Sequence, residues 1–515
     1  MRKVAKLIFL YLLFFTSQVV GQESAWLENE VNEKTEFHFT LDQDQLFHPS
    51  SKAYVLTDSI KNSVYASGLW DIGLEKEWEK SSIQFLPLVN ASAGFSSGDS
   101  SFAIGQLGIG LALQSNFGSK LFFSASAYFE DGNYPTYYSN FIKEHAVVPG
   151  MGRSFSGELG YNYFRFDALL SYHPFDFLDL QAGVGKHFIG DGYRSFFVSD
   201  VASPNPFGRI NVNIWHINFS ATYSSLTHLA PNSGPDWQEA GKYTARHYLS
   251  WNATKWLRIG FFESVVWQAS DSSNYRGFDA HYINPIQFYR PVEYSIGSAD
   301  NSLLGFDLSL RIKNSWAFYS QFTLDEFLLS EVTAGDGWWA NKYALQFGLK
   351  VFEPFSLKNT FLRLEFNLAR PFTFSHGSPK QNYAHLGEAI GHPLGANFYE
   401  GILELNFQLG KRGRIENRII AYLKGEDPDG QNLGGDIFKA YTNPTNTYGN
   451  YIGQGDQRNV LLYQLQYSYL LSSDNRLKLI AGLQLRNESF LGSSAFSTQV
   501  FIGLSTTIWN RYYGF

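Results

Sequence analysis

Long segments in which apolar and polar residues alternate are the feature that most constrains this fold. Successive side chains of a β-strand point to opposite faces, so such a segment has one oily face and one polar face. The alternation extends over about 10 to 13 residues, enough for a tilted strand to cross a bilayer, whereas soluble strands cluster near 5 to 6. The pattern therefore predicts membrane-spanning strands with their apolar faces toward lipid. It occurs at 342–350, 362–368, 403–409 and 476–486.

Connections of alternating length support a closed antiparallel barrel, in which short periplasmic turns alternate with long external loops. Dividing residues 209–224 at Ile214-Trp215-His216 gives about eighteen strands and puts both chain ends on the periplasmic side. Phe515 is then expected at the periplasmic end, as an aromatic assembly signal. Short turns are predicted near 118, 173–176, 254, 313–314, 411–412 and 472–474, and long loops at 132–153, 189–207, 229–242, 269–301, 325–339, 373–397 and 424–458.

Composition and the N-terminal segment are consistent with an exported barrel. The chain has 46 Phe, 31 Tyr and 12 Trp but a mean hydropathy of only -0.21, as expected if only every second strand residue faces lipid. A net charge of -7 without a basic stripe argues against nucleic acid, and the absence of cysteine excludes disulfides. Residues 1–21 have the pattern of a secretory signal peptide, 22–80 are predicted to form a periplasmic or plug region, and 81–515 the barrel.

Both signs of charge are expected on the inner face of the barrel. Mixed charges favour ion pairs that brace a filled lumen, whereas a selective channel favours rings of one sign. An occluded barrel is thus the first hypothesis, and a diffusion porin or substrate-specific channel is the alternative. The residues expected to face the lumen are Asp307, Arg311, Lys342, Lys350, Arg363, Glu365, Glu404, Arg414, Glu416, Arg418, Lys478 and Arg486.

Enzymatic and metal-dependent functions are not expected. Ser96 lies in a Gly-x-Ser-x-Gly pattern, but a strand pattern follows it where a catalytic elbow requires a helix. The acidic segment 425–430 lacks the closing glutamate of a calcium loop, so no metal or cofactor is predicted. Glu263 lies in register with an apolar face, which leaves a bulge or a position at the membrane rim as alternatives.

The densest polar and aromatic cluster lies at 185–200, where a predicted strand ends. Aromatic faces stack on sugar rings, and charged groups form directional hydrogen bonds with hydroxyls. The cluster therefore predicts ligand contacts, with a loop folded into the lumen as a plug as the alternative. Its candidate binding residues are Lys186, His187, Asp191, Tyr193, Arg194 and Asp200.

Four ordered motifs between about 180 and 400 resemble the Wzi-like outer-membrane capsule-assembly family, and within it the RemB-like gliding-motility proteins of Bacteroidetes. Through these motifs the resemblance adds Asn284, Asn301, Asp325 and His392 to the candidate ligand-binding residues. The motifs are Lys186-His187-Phe188-Ile189-Gly190-Asp191-Gly192-Tyr193-Arg194-Ser195 with Ser199-Asp200, His281-Tyr282-Ile283-Asn284-Pro285-Ile286-Gln287-Phe288-Tyr289, Asp300-Asn301-Ser302-Leu303-Leu304-Gly305 leading into Leu324-Asp325-Glu326-Phe327, and Gly391-His392-Pro393-Leu394-Gly395.

This resemblance implies an eighteen-stranded outer-membrane barrel with a plugged lumen, whose outer face binds exopolysaccharide and helps to hold a capsule on the cell. The gliding branch implies a role in adhesion or surface motility. The expected partners are therefore outer-membrane lipid, a surface or capsular polysaccharide, the barrel-assembly machinery and gliding or adhesion proteins.

Overall fold

The computed structural model describes residues 22–23, 29–42, 47–52, 55–56, 69, 73–78, 81–98, 102–229, 239–270, 275–284, 300–313, 315–506 and 508–515. The predicted signal peptide at 1–21 lies outside the described residues. Among the helices that are described, none is long and apolar enough to cross a membrane.

Eighteen long strands form the wall of a closed antiparallel barrel. Two short strands, Leu74–Trp78 and Phe155–Ser156, pair with the first and the fourth of the long strands. The long strands are β1 Ser81–Ser97, β2 Phe102–Phe117, β3 Leu121–Asn133, β4 Tyr161–Phe175, β5 Leu178–Gly185, β6 Asn205–Ile214, β7 Ile217–Leu229, β8 Glu239–Asn252, β9 Leu257–Gln268, β10 Asn301–Ile312, β11 Trp316–Glu326, β12 Lys342–Phe352, β13 Thr360–Ala369, β14 Phe398–Leu409, β15 Gly413–Glu426, β16 Asp456–Leu470, β17 Leu477–Phe490 and β18 Ser493–Thr506.

The last strand pairs with the first, which closes the cylinder. The ladder between β18 and β1 extends from Thr498 opposite Ser97 to Ser505 opposite Asn90. The predicted division of 209–224 is also correct, because β6 ends at Ile214 and β7 begins at Ile217, with Trp215 in a left-handed conformation in the turn. The predicted closed barrel of about eighteen strands is therefore confirmed.

On the wall strands, apolar side chains are exposed and polar side chains are buried, as expected of a membrane barrel. On β13, Leu364 and Phe366 are each 44% exposed, whereas Glu365 and Asn367 point inward and are 4% and 0% exposed. A soluble barrel would bury its apolar face and expose its polar one. The predicted segregation, oily outside and polar inside, is therefore what the wall displays.

Ion pairs between neighbouring strands line the inner face. Glu404 on β14 accepts from Arg363 on β13 and from Arg418 on β15, each at 2.7 Å. Lys342 on β12 lies 3.0 Å from Glu326 on β11. These pairs have the bracing geometry that the mixed charges predicted.

Helix α1, Asn29–Asp42, lies inside the barrel near the short turns. Its Glu33 pairs with Arg414 of β15 and its Glu30 with Lys478 of β17, each at 2.7 Å. Glu36 forms a third pair, with Lys350 of β12. Acidic residues one helical turn apart thus bind three inward-facing cations of the wall.

The segment after β18, residues 508–515, turns back into the lumen. Arg511 pairs with the buried Glu130 of β3 at 2.7 Å, and the Phe515 ring lies 4.7 Å from that of Phe141. The expectation that Phe515 marks a periplasmic assembly signal is therefore wrong. The physical reason is that a buried charge on the wall holds this segment inside, instead of strand pairing continuing to the last residue.

Glu263 points outward from β9 in an uninterrupted ladder with β8, so a bulge is excluded. Its carboxylate is buried and lies 3.8 Å from His247 on β8. Farther along the same face, Trp267 is covered by Tyr282, with ring centroids 4.9 Å apart. A loop segment, 275–284, therefore folds back over this part of the outer wall.

Candidate functional site

The loop between β5 and β6, residues 186–204, enters the lumen. Its backbone N–H groups are held there by hydrogen bonds to side chains of the wall. The N–H groups of Tyr193 and Arg194 donate to Glu365 at 2.7 and 3.2 Å, and that of Phe196 donates to Gln321 at 3.0 Å. Gly190 has a φ of +148°, and a side chain there would meet Gln321. We call residues 186–204 the first plug segment.

Charged side chains of the first plug segment bind residues of the wall. Asp191 pairs with Arg258 of β9 and lies 3.5 Å from Lys350 of β12. Burial alone would raise the pKa of Asp191, but these cations outweigh it and lower that pKa to about 2. Arg194 is fully buried, 3.6 Å from Glu400 of β14.

The ends of the first plug segment are tied to the tail, as we name residues 508–515. Lys186 donates to the backbone oxygen of Asp200 at 2.8 Å, and the Asp200 carboxylate accepts from Tyr512 at 2.6 Å and Asn510 at 2.8 Å. His187 is bonded to Arg209 of β6. These groups therefore join the first plug segment to the distant tail and to the adjoining strand β6.

Three of the motif residues hold a second plug segment, 370–397. Asn301 donates to the backbone oxygen of Gln381 at 2.9 Å, and Asp325 accepts from the N–H of Phe374 at 2.7 Å. His392 lies 2.7 Å from Glu400, the residue that Arg194 also approaches. Both plug segments thus meet at one carboxylate of β14.

Asn284 is the exception among the predicted residues, because it is exposed at the end of segment 275–284, which covers the outer wall. The others lie inside the barrel, where they anchor the two plug segments. Of the two interpretations of the cluster at 185–200, a folded-in plug is the one that these contacts describe. Direct contact of the ten residues with a ligand stays a prediction.

A cavity of about 650 Å³ lies above the plug, among the long loops, and we call it the outer cavity. It falls within the roughly 300 to 1,000 Å³ of typical ligand sites. Its sides come from helix α2, Thr136–His145, from the second plug segment, from loop residues 427–439 and from the upper ends of β15, β16 and β17. It opens to solvent beside the exposed residues Asn140, Glu144 and Lys439.

Aromatic rings and paired charges share the lining of the outer cavity. Arg458 binds Glu426 at 2.6 Å and also Glu488, which accepts from Arg486 at 2.8 Å. The Arg486 guanidinium lies 4.5 Å from the Tyr137 ring centroid. Rings that stack on sugar faces and charged groups that bond hydroxyls are a chemistry that suits saccharides. The aromatic lining residues are Tyr137, Phe141, Tyr422, Phe438, Tyr512 and Phe515.

Sequence reasoning did not identify the outer cavity, because its residues come from many segments that are far apart in the chain. The available signal was the charged strand ends, such as Glu426 and Arg458, which stand directly before and after a long loop. Burial raises the pKa of Glu144 in α2, and the nearby Glu426 adds to this effect. Among the residues that the structure describes, no group of three or more acidic or histidine side chains is arranged to hold a metal ion.

A closed antiparallel wall with an apolar outer face, a lumen filled by its own loops and a cavity open to solvent defines a plugged membrane β-barrel. Comparison with known proteins finds no matching family model and no matching curated protein. Solved structures do match. One is Wzi of Escherichia coli, an outer-membrane protein involved in group 1 capsule assembly and described as a carbohydrate-binding β-barrel. Its TM-score is 0.53 at 12% identity, over 93% of this chain and 99% of Wzi.

Two outer-membrane proteins of Pseudomonas aeruginosa also match. OpdK has a TM-score of 0.44 at 9% identity, over 82% of this chain and 97% of its own. OprD has a TM-score of 0.42 at 10% identity, over 85% of this chain and 97% of its own. At these identities the likeness is one of fold.

Proposed function

We propose that this protein is an outer-membrane β-barrel that binds a surface or capsular polysaccharide in its outer cavity and holds it at the cell surface. The observation that carries the proposal is the lining of that cavity, in which aromatic rings stand beside the Arg458, Glu426 and Glu488 network. Support also comes from the fold likeness to Wzi, a carbohydrate-binding barrel. The resemblance to RemB-like proteins extends the role to adhesion or gliding.

A channel is the alternative function, and its only support is the polar inner face of the wall. Both plug segments, α1 and the tail lie within the lumen that a channel would keep open. The filled interior therefore favours binding over conduction.

Binding of the purified protein to polysaccharide extracted from the producing cells tests the proposal. Phe438→Ala removes a ring, and Arg458→Gln removes the charge that the network centres on; we expect each to weaken retention by about tenfold. Tyr448→Ala is the matched control, because this ring is exposed on the same side of the barrel but outside the cavity. Failure of the intact protein to retain any polysaccharide would contradict the proposal.

A further inference from the structure

A second cavity, of about 230 Å³, lies inside the barrel between the tail and the wall, and we call it the inner chamber. Trp509, Arg511 and Tyr513 of the tail form one side of it. Strands β1, β2, β15, β16, β17 and β18 form the other. At the short-turn end it is closed by Glu30 of α1, which is paired with Lys478.

The wall of the inner chamber is rich in uncharged amides. The charged residues beside them are ion-paired, Arg511 with Glu130, Arg418 with Glu404 and Glu416 with Arg414. An amide offers both donors and an acceptor, which matches hydroxyl groups better than it matches an ion. The polar uncharged side chains of the wall include Gln106, Gln464, Gln466, Gln484, Gln499 and Ser505.

Gln499 gives an independent indication of a ligand. Its side chain is 5% exposed, and its Nε2 atom has no hydrogen-bond partner among the described residues. A buried donor left unpaired costs about 1 to 3 kcal/mol, so a group that accepts from it would be stabilising. Gln499 lines the chamber, where a ligand hydroxyl would satisfy it.

Tyr137 stands between the two cavities. Its ring lines the outer cavity, while its hydroxyl accepts from Gln484 of the chamber wall at 2.8 Å and donates to the backbone oxygen of Tyr513 at 3.3 Å. Phe515 lines the outer cavity, and Tyr513 lines the chamber. Tyr137 and the tail therefore form the partition between the two cavities.

We propose that the inner chamber is a second saccharide subsite, which takes one uncharged sugar ring from a chain held in the outer cavity when Tyr137 moves aside. This rests on the proposed function, because the outer cavity delivers the chain. The volume of the chamber suits a single sugar ring, because about 230 Å³ is below the roughly 300 Å³ at which sites for drug-sized ligands begin. The amide wall selects a neutral ring over a charged one.

Thiol labelling of the full-length protein in lipid vesicles tests this, because the chain contains no cysteine. Ser505→Cys places one thiol in the chamber, and Ser309→Cys places one on the inner face of β10, outside the chamber, as the matched control. We expect a small uncharged thiol reagent to label Ser505→Cys and not the control. Tyr137→Ala should speed that labelling by about fivefold, the effect of losing about one hydrogen bond.

Glucose, galactose, mannose and N-acetylglucosamine are the neutral probes, and glucuronate is the charged one. Protection of Ser505→Cys by about tenfold with at least one neutral sugar, and not with glucuronate, supports the subsite. The inference is overturned by no labelling even with Tyr137→Ala, by labelling that no neutral sugar slows, or by equal protection with glucuronate. Polysaccharide retention, measured separately on Ser505→Cys with Tyr137 intact, reports the outer cavity and so distinguishes the two failures.

Discussion

Single buried charges inside this barrel connect segments that lie far apart in the sequence. Arg258 of β9 binds both Asp191 of the first plug segment and Asp307 of β10, and Arg511 of the tail binds Glu130 of β3. Removing an ion from water costs several kcal/mol, so loss of one partner leaves a penalty that the other cannot offset. The plug is therefore held by specific charges as well as by apolar packing.

Asp191→Asn should test this at one residue. It leaves Arg258 and Lys350 with less negative charge in a buried site, so we expect the free energy of unfolding to fall by about 3 kcal/mol. Urea unfolding in detergent, followed by gel mobility, measures it. Asp429→Asn, on an exposed loop, is the control and should leave the midpoint unchanged. Equal midpoints for both variants would contradict the anchoring role of Asp191.

Glu388, in the second plug segment, should make the stability of the protein depend on pH. Burial raises the pKa of its carboxyl to about 7, although Ser203 and Gly150 donate hydrogen bonds to it. The folded protein therefore binds this proton more tightly than the unfolded chain does. The resulting stabilisation is present below pH 4.5 and is lost as the pH rises to about 7.

The measurement is the difference in unfolding free energy between the wild type and Glu388→Gln across this window. As the pH rises from 4.5 to 7, we expect the unfolding free energy of the wild type to fall by at most about 3 kcal/mol relative to that of the variant. A difference that stays constant with pH would show that Glu388 does not titrate there.

At the scale of the element, each strand has a lipid face and a lumenal face. Phe366→Arg puts a cation on the exposed face of β13, and we expect it to destabilise the barrel in lipid by about 2 to 4 kcal/mol. Phe366→Leu keeps the face apolar and should cost far less. Folding into vesicles, followed by gel shift, measures both. Equal folding of the two variants would mean that this face does not contact lipid.

The position of helix α1 inside the lumen should depend on its row of acidic residues. Replacing Glu30, Glu33 and Glu36 with glutamine removes carboxylates from Lys478, Arg414 and Lys350, at a cost of about 3 to 5 kcal/mol for each broken pair. We expect α1 to leave the lumen and added trypsin to cleave the variant at Lys34 of α1 while leaving the wild type intact at that residue. Glu75→Gln with Glu77→Gln, on an exposed strand, is the control. Equal protection of Lys34 in the triple variant and the wild type would contradict the role of the pairs.

The strands could be predicted from sequence, and much of the interior could not. Period-two alternation fixes which face of a strand meets lipid, and the turn at Trp215–His216 followed from strand length and parity alone. The inward path of residues 508–515 and the acidic row of α1 depend on pairing with Glu130, Lys478 and Arg414. Such pairing between distant segments leaves no periodic signal in the chain. For the same reason the predicted cluster at 185–200 proved to be a plug anchor, and the outer cavity was missed.

At the scale of the whole molecule, the barrel wall encloses a second, smaller core. Phe196, Phe197, Tyr383 and Leu394 of the two plug segments pack with inward-facing Tyr248 and Phe262 of the wall. This core lies beneath the outer cavity, so the loops close the lumen and shape the cavity at once. A protein built in this way presents a cavity to the outside and leaves little free passage through the membrane.

Conductance of the wild-type protein in a planar lipid bilayer tests this central claim most directly. With the plug segments, α1 and the tail in place, we predict no steady current above that of the bare bilayer. A steady open current from the wild-type protein would contradict the account and favour the channel.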